Sequence, residues 1–531
     1  MEGPAQAIGW LFDSPRQAPG RLIPRWIFLR CLGLIYFSAF FSLKFQILGL
    51  IGPNGILPAG SYLQAVAQTL GGMERVWYAP TVLWWSSSSS ALTALCWMGM
   101  LASLLVVANL WPRGMLLVCF VCFLSFVAAA QDFSSYQSDG MLLEAGFISL
   151  FFAPPGLRPG WGAAHAASRG SWFLLLWEWF RIYLESGAVK LLSGDSEWRN
   201  FTAMDEYYQN GPLPTWIGWY VQHLPHWFHA ATVFATFALE LVLVWMLFLP
   251  QRWRIICFFI VTPWQIGVIL TANYTFLNYL VLVLGFLLLD DRFVLWVLPQ
   301  RWRPRIQVQE PDQRAANLHK QDRIAYRFLH PLKLSLISVM FLLIFYATTA
   351  QLVWMFARVP LPESPVAALE PFRIANRYGL FAVMTRGRYE IEFQGSNDGK
   401  VWTPYPFRYK PQALNEAPRI YAPYQPRFDW NLWFASLGSW RDYPFVTNTE
   451  VLLLGNDKDV LQLFAGNPFA SAPPTQVRAV MWQYWFTPLD ENRRTGMWWR
   501  RQSLGLYAPT LTRAADGKIT VIEWPNVAPH E

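Results

Sequence analysis

The chain has 531 residues, of which 54% are hydrophobic, 17% aromatic and only 14% charged, with a formal net charge of +8. Soluble globular domains carry about 25% charged residues, so this composition excludes an ordinary soluble protein and points to a membrane. The basic residues sit in short loops between apolar runs rather than on one polar domain, which makes the positive charge a topology signal and excludes a nucleic-acid surface.

Residues 1–25 are a polar, proline-rich lead. The first apolar run, Trp26 to Ile51, follows that lead and is too long for the h-region of a signal peptide. A loop comes next, with an amphipathic piece at Tyr62–Leu70. Ser86–Ser90 reads as a flexible tract or as the cap of the following helix. Spans are predicted at Ala91–Trp111 and Met115–Ala130. Met141–Ala153 is short for a crossing and fits a tilted or re-entrant segment as well as a span. Ser171–Leu192 is long enough to cross but unusually charged, and an aromatic, acidic loop occupies Ser193–Trp227. Further spans are predicted at Phe228–Leu249, Ile255–Thr271, Thr275–Val297 and Leu332–Phe356. Residues 26–357 thus read as a multi-pass helical membrane domain of about eight or nine spans.

One set of loops holds Arg113, Arg158, Arg169, Arg252, Arg254 and the run Arg301 to Arg327; the alternate set holds little beyond Arg75 and Arg199. The positive-inside rule then puts the N-terminus in the cytoplasm and, with an odd number of spans, the C-terminal part on the opposite side.

Beyond Phe356 the pattern alternates apolar and polar residues. Gly395 to Gly399, with Asp-Gly at its end, joins two strands as a hairpin. Phe428–Gly438 and Thr449–Phe464 read as helices, the second interrupted at Gly455–Asp457; Val477–Phe486 and Met497–Arg501 read as strands. Residues 358–531 are therefore expected to form an extramembrane, β-rich, sandwich-like domain with helical insertions.

A charge at bilayer depth costs roughly 2.5–3.5 kcal/mol on insertion scales, so it needs a partner or a task. Glu178, Arg181 and Glu185 are spaced i, i+3, i+7 and share one helical face. Glu144 is buried if its segment crosses, and Arg181 is a cation able to neutralise it. With Lys190 at the helix end, these residues form an intramembrane polar network: an ion-pair stripe between helices, or a functional pocket. Lys190 by itself reads as a snorkelling lysine.

All five cysteines (Cys31, Cys96, Cys119, Cys122, Cys257) fall in apolar spans, which excludes a disulfide-stapled ectodomain. Cys119 and Cys122 form a C-x-x-C pair, but a lipid-embedded helix offers no exposed thiolate for redox chemistry. His223, His226 and His229 recur at steps of three; Pro225 breaks the helical register and no carboxylate or thiolate completes a set, so they read as an interfacial helix start with no metal. Asp290 and Asp291 read as a solvated span end. No phosphate-binding loop or nucleophile elbow is present, and the extramembrane part has a single histidine, His530. No cofactor is implied.

Six motifs carry a resemblance: SDGMLLEAGF (Ser138–Phe147), RIYLESGAVKLLSGDSEWRNFTAMD (Arg181–Asp205), TANYTFLNYL (Thr271–Leu280), NRYGLFAVMTRGRYEIEFQGSNDGKVW (Asn376–Trp402), YKPQALNEAPRIYAPYQPRFDWNLWFASLG (Tyr409–Gly438) and NPFASAPPTQVRA (Asn467–Ala479). From about Arg21 to Thr510 the chain resembles the lipase maturation factor family. The resemblance implies a multi-pass membrane protein whose C-terminal domain faces the lumen and contacts secreted client lipases in a chaperone-like role, with membrane lipids as the other partner. Candidate client contacts are exposed side chains of that domain: Arg386, Arg388, Arg427, Trp430 and Trp433. The extramembrane part lacks the cysteines of animal members, which favours a bacterial inner membrane; a eukaryotic chain would sit in the endoplasmic reticulum. A shorter stretch, Gly187 to Leu191 followed by Trp198, is similar to the vitamin K-dependent γ-carboxylase, where the lysine matching Lys190 acts as a base. That similarity implies an alternative: a membrane enzyme acting on a lipid or quinone-like substrate through Glu144, Glu178, Arg181, Glu185 and Lys190.

Overall fold

The computed structural model describes residues 20–303 and 320–525, except 135, 164, 166 and 515. Residues 1–19 of the N-terminal lead, the basic side chains between Arg303 and residue 331, and His530 lie outside the described residues and side chains.

The N-terminal part is a helical bundle. Its long helices are α1 (Leu22–Lys44), α2 (Ser89–Val107), α3 (Pro112–Val127), α4 (Gln137–Phe152), α5 (Arg169–Leu192), α6 (His226–Phe237), α7 (Gln251–Thr271), α8 (Leu277–Gly285) and α9 (Lys320–Phe356). Among the described residues, Leu22–Lys44, Ser89–Val107, His226–Phe248, Gln251–Thr271 and Leu332–Phe356 are long and apolar enough to cross a membrane. The other helices are shorter or more polar. α4 and α5 run through the centre, buried on almost every side. α7 instead leaves Trp253, Phe259, Ile266 and Leu270 exposed on its outer face, as a lipid-facing helix does.

Local chemistry sets the helix ends. Ser88 caps α2, its hydroxyl accepting from Ala91 N at 3.3 Å, so the serine tract is a cap rather than a flexible link. Thr275–Val297, expected as one span, breaks at Asp290, whose carboxylate accepts from Phe293 N at 2.8 Å and starts a new short helix. Asp291 accepts from Leu22 N and Ile23 N at 3.0 and 2.8 Å and so caps α1 from a distant part of the chain. Both aspartates are buried, which corrects the solvated-end expectation: free helix N–H groups take the place of water.

The C-terminal domain is built on one antiparallel sheet: β1 (Arg388–Ser396), β2 (Thr403–Pro404), β3 (Gln476–Phe486), β4 (Trp499–Leu506), β5 (Thr510–Arg513) and β6 (Ile519–Glu523). The order is β2-β1-β3-β5-β6, with β4 also pairing β3. β1 pairs β3 along its whole length, from Arg388 opposite Tyr484 to Ser396 opposite Gln476. At the predicted hairpin, Asp398 accepts from Lys400 N and Val401 N at 2.8 and 2.9 Å, and these donors hold its carboxyl below the ordinary aspartate value. Helices α10 (Arg427–Ala435), α11 (Pro444–Leu454) and α12 (Lys458–Leu461) supply Phe428, Leu432, Phe445, Leu453 and Val460 to a core shared with Ile391, Phe393, Val477 and Ala479. Helices thus take the place of a sandwich's second sheet. On the alternate positions of β1, Arg388, Glu390, Glu392 and Gln394 are buried polar residues.

Glu450 on α11 is fully buried, with no hydrogen-bond partner for either carboxylate oxygen among the described side chains. Burial pushes its pKa well above the ordinary glutamate value, and burial likewise raises Asp429, to about 6. The folded form holds these protons more tightly than the unfolded chain. Stability is therefore fully present below the unfolded carboxyl values near 4 and is lost as pH rises through the raised native values. Thermal unfolding of the full chain between pH 4 and 8 should show this decline, and Glu450→Gln should flatten it.

Candidate functional site: a charged seam between bundle and β domain

The chain leaving α9 returns to the bundle as an extended peg, Ile374–Gly379, which enters between α4 and α5. Gly140 on α4 makes room: a Cβ there would lie 2.7 Å from Asn376 Oδ1. Asn376 Nδ2 donates to Gly140 O at 3.0 Å and to Glu144 Oε2 at 3.1 Å, and Asn376 N donates to the same oxygen at 3.0 Å. Arg181 Nη2 pairs with Glu144 Oε1, and Arg181 Nη1 donates to Asn376 O at 2.6 Å. Tyr378 N donates to Glu185 Oε2 at 2.5 Å; its hydroxyl donates to Glu144 Oε2 at 2.9 Å and stands 3.5 Å from Glu178 Oε1. Glu185 Oε1 is 3.9 Å from Arg181 Nη1.

Glu144, Glu178, Arg181 and Glu185 therefore meet in one cluster, and the pairing of Arg181 with Glu144 is present. Peg residues Asn376 and Tyr378 add donors that a lone guanidinium lacks for three carboxylates, while Glu178 Oε2 and Glu185 Oε1 stay without a hydrogen-bond partner among the described residues. Their sequence neighbourhood, NRYGLF, gave no sign of membrane depth, so this contact was illegible from the chain.

Lys190 stands apart from that cluster. Its Nζ lies 2.8 and 3.0 Å from the two carboxylate oxygens of Glu240, 3.3 Å from Ser186 O and 5.2 Å from the centre of the Trp198 ring. Glu240 sits where α6 loosens into a π-helical turn, Ala238–Val242, which points it inward. Gly187 permits the approach: a Cβ there would lie 2.8 Å from Glu240 Cβ. Lys190 is buried and paired, so the snorkelling expectation is corrected: a carboxylate from the neighbouring helix supplies what water would have supplied. Sequence reading missed Glu240, although a lone carboxylate in an apolar run is itself a signal.

The second half of the seam is Arg427. Its Nη1 and Nη2 donate to Asp139 Oδ2 and Oδ1 at 2.7 and 2.8 Å, a bidentate pair, and Nη1 also donates to Phe133 O at 2.7 Å. Asp139 lies on α4 and Arg427 begins α10, so this buried pair joins the two domains. Arg427 N donates to Gln46 Oε1 at 2.7 Å, and Gln46 Nε2 donates back to Gln425 O at 2.9 Å. Asn273, in the turn between α7 and α8, makes a similar tie: it accepts from Tyr421 N at 2.7 Å and donates to Arg419 O at 2.8 Å.

Four of the five expected client contacts are turned inward. Arg388 donates to Gln209 O, Gly211 O and Pro212 O at 2.5–3.1 Å in the loop after α5. Trp433 Nε1 donates to Asn210 O at 3.0 Å, and Trp430 is buried in an aromatic cluster with Tyr207, Tyr274 and Trp198. The exposure expected for Arg388, Arg427, Trp430 and Trp433 is thus corrected: the carbonyls, the carboxylate and the aromatic surface presented by the bundle desolvate them. Arg386 alone of the five is exposed, donating to Ser196 Oγ at 2.7 Å and standing 3.3 Å from Glu197.

Of the three histidines, His223 bridges Trp219 O and Thr487 O at 2.7 and 2.9 Å, His226 lies 2.8 Å from Asp205, and His229 is buried against Tyr208. They point to different neighbours.

These features define a class: a multi-pass membrane protein whose β-rich extramembrane domain is locked to its helical bundle by buried charge pairs. Comparison with known proteins gives the family. The family model for the lipase maturation factor transmembrane domain matches residues 23–296, and that for the lipase maturation factor C-terminal domain matches residues 374–509. A Gallus gallus lipase maturation factor 2 is 31% identical over 92% of this chain and 81% of its own length. A Bos taurus lipase maturation factor 1 is 31% identical over 96% of this chain and 92% of its own. A Homo sapiens lipase maturation factor 2 is 30% identical over 93% and 83%. No solved structure matches. The chain belongs to the lipase maturation factor family.

Proposed function

We infer that this chain is a membrane-anchored maturation factor for lipases and that its β-rich domain meets the client. The observation that carries this is the match of both domains to lipase maturation factors along most of the chain. The seam adds a physical role for the membrane part: it holds the β domain in one pose at the membrane surface. Client contact then falls to the outward surface of that domain, with Arg386 as the remaining candidate among the expected residues.

Charge supports one orientation. Arg21 and Arg25 at the start of α1, Arg113 at the start of α3, and Arg254 near Trp172 gather at the end of the bundle remote from the β domain. The positive-inside rule supports a cytoplasmic position for that end and a position across the membrane for the β domain. The cysteine-free extramembrane domain supports a bacterial inner membrane; in the endoplasmic reticulum the same orientation faces the lumen.

The test is co-expression with a secreted lipase, with and without this chain, reading lipase activity per molecule secreted. The chain should raise it; unchanged specific activity contradicts the proposal. The same assay separates scaffold from enzyme at Lys190. Lys190→Met with Glu240→Leu replaces the ion pair by apolar side chains of similar size, a change that is often neutral for stability. The double variant should retain lipase maturation, and its loss at normal protein level would speak for a catalytic lysine.

A further inference from the structure

The connection between α1 and α2 carries an unusual surface. In the short helix Glu74–Tyr78 no residue is buried. Met73 is 80% exposed, Trp77 53%, Tyr78 58% and Trp85 88%. Met73, Glu74, Val76, Trp77 and Pro80 form one wall of a nearly all-apolar hollow of about 340 Å³, and Phe372 forms the other. Trp77 meets Phe372 edge to face at 4.9 Å. Exposed apolar surface costs about 25 cal/mol per Å² in water, so a patch of this kind marks a surface that something covers.

Its position says what covers it. Trp85 stands just before α2, whose outward residues Met98, Leu101 and Leu104 are exposed. The segment that carries Phe372 follows α9, which ends at the exposed Phe356, and the chain folds back along that helix: Trp354 Nε1 donates to Val359 O at 3.0 Å and the Tyr346 hydroxyl to Pro362 O at 2.9 Å. α2 and α9 are both long and apolar enough to cross a membrane. The hollow therefore opens between the segment that leads into one membrane helix and the segment that returns along another. Tryptophan and tyrosine concentrate at that level of a bilayer, and Arg75, 5.2 Å from the Trp84 ring centre, is a cation of the kind found beside them.

We propose that this hollow seats an acyl chain of a phospholipid from the leaflet on the β-domain side, with Met73, Trp77 and Phe372 as its walls. Phe372 is four residues from Asn376, so the bound lipid touches the base of the peg that enters the α4–α5 cluster.

The test uses the full chain in phosphatidylcholine vesicles, with Cys31→Ser to remove the one half-buried native thiol. A bimane fluorophore is attached at Met73→Cys and, as a reference, at Gln502→Cys on exposed β4. Both sites are on the surface, so neither label disturbs the core. At position 73, quenching by phosphatidylcholine carrying a nitroxide on its acyl chain should be strong and quenching by aqueous iodide weak, with the reverse at 502. If the label at 73 is quenched by iodide as fully as at 502 and not by the nitroxide lipid, the hollow faces water and the proposal is wrong.

Discussion

Arg427→Ala is expected to destabilise the chain by about 3–5 kcal/mol and to free the β domain from the bundle. The guanidinium is fully buried, bidentate to Asp139, and has the Phe126 ring 4.7 Å away. Removing it leaves the Asp139 carboxylate without its paired guanidinium and takes the Arg427 donor from Phe133 O. Limited proteolysis of the peg and a lower unfolding temperature would report the release. Arg427→Met with Asp139→Leu removes both charges at similar volume and should recover most of the loss, because the large penalty belongs to the orphaned carboxylate rather than to the missing attraction. A single variant as stable as the wild type would show that the Asp139 site is open to water.

Arg181→Leu should have an effect of the same size, about 3–5 kcal/mol, at the other half of the seam. Glu144, Glu178 and Glu185 then face one another with Tyr378 and the peg amides as their remaining donors. Like charges in a low-dielectric interior repel strongly, so the peg should withdraw. Adding Glu144→Gln removes one negative charge, and its amide can still accept from Asn376; it should restore part of the stability. Hydrogen exchange at Asn376 and Tyr378 measures the outcome directly: fast in Arg181→Leu, slower again in the double variant.

Much of the architecture was legible because periodicity and composition report burial. The apolar runs became helices, and the Gly395–Gly399 turn became the bend after β1. Gly455–Asp457 became the break between α11 and α12. The clustering of Glu144 with Arg181 was legible because intramembrane charges must find partners. What stayed hidden was partnership across long sequence distance. Arg388 and Arg427 look like surface arginines in a polar domain, and partners distant in sequence, most of them on the bundle, bury them. Asp290 and Asp291 look like a wet span end, and only the start of α1 shows why they are enclosed. Lys190 invites a catalytic reading from its neighbours in the sequence alone, yet the π turn that delivers Glu240 to it lies fifty residues on.

The proposed role of the membrane part is to hold the β domain in place through the Arg427–Asp139 pair and the α4–α5 cluster. The most direct measurement is the specific activity of a co-expressed secreted lipase with wild-type chain, Arg427→Ala, and Arg427→Met with Asp139→Leu, at matched protein levels. Activity should fall with the single variant and return with the apolar pair. Full lipase activity with Arg427→Ala, in a protein whose β domain is shown by proteolysis to be released, would contradict it.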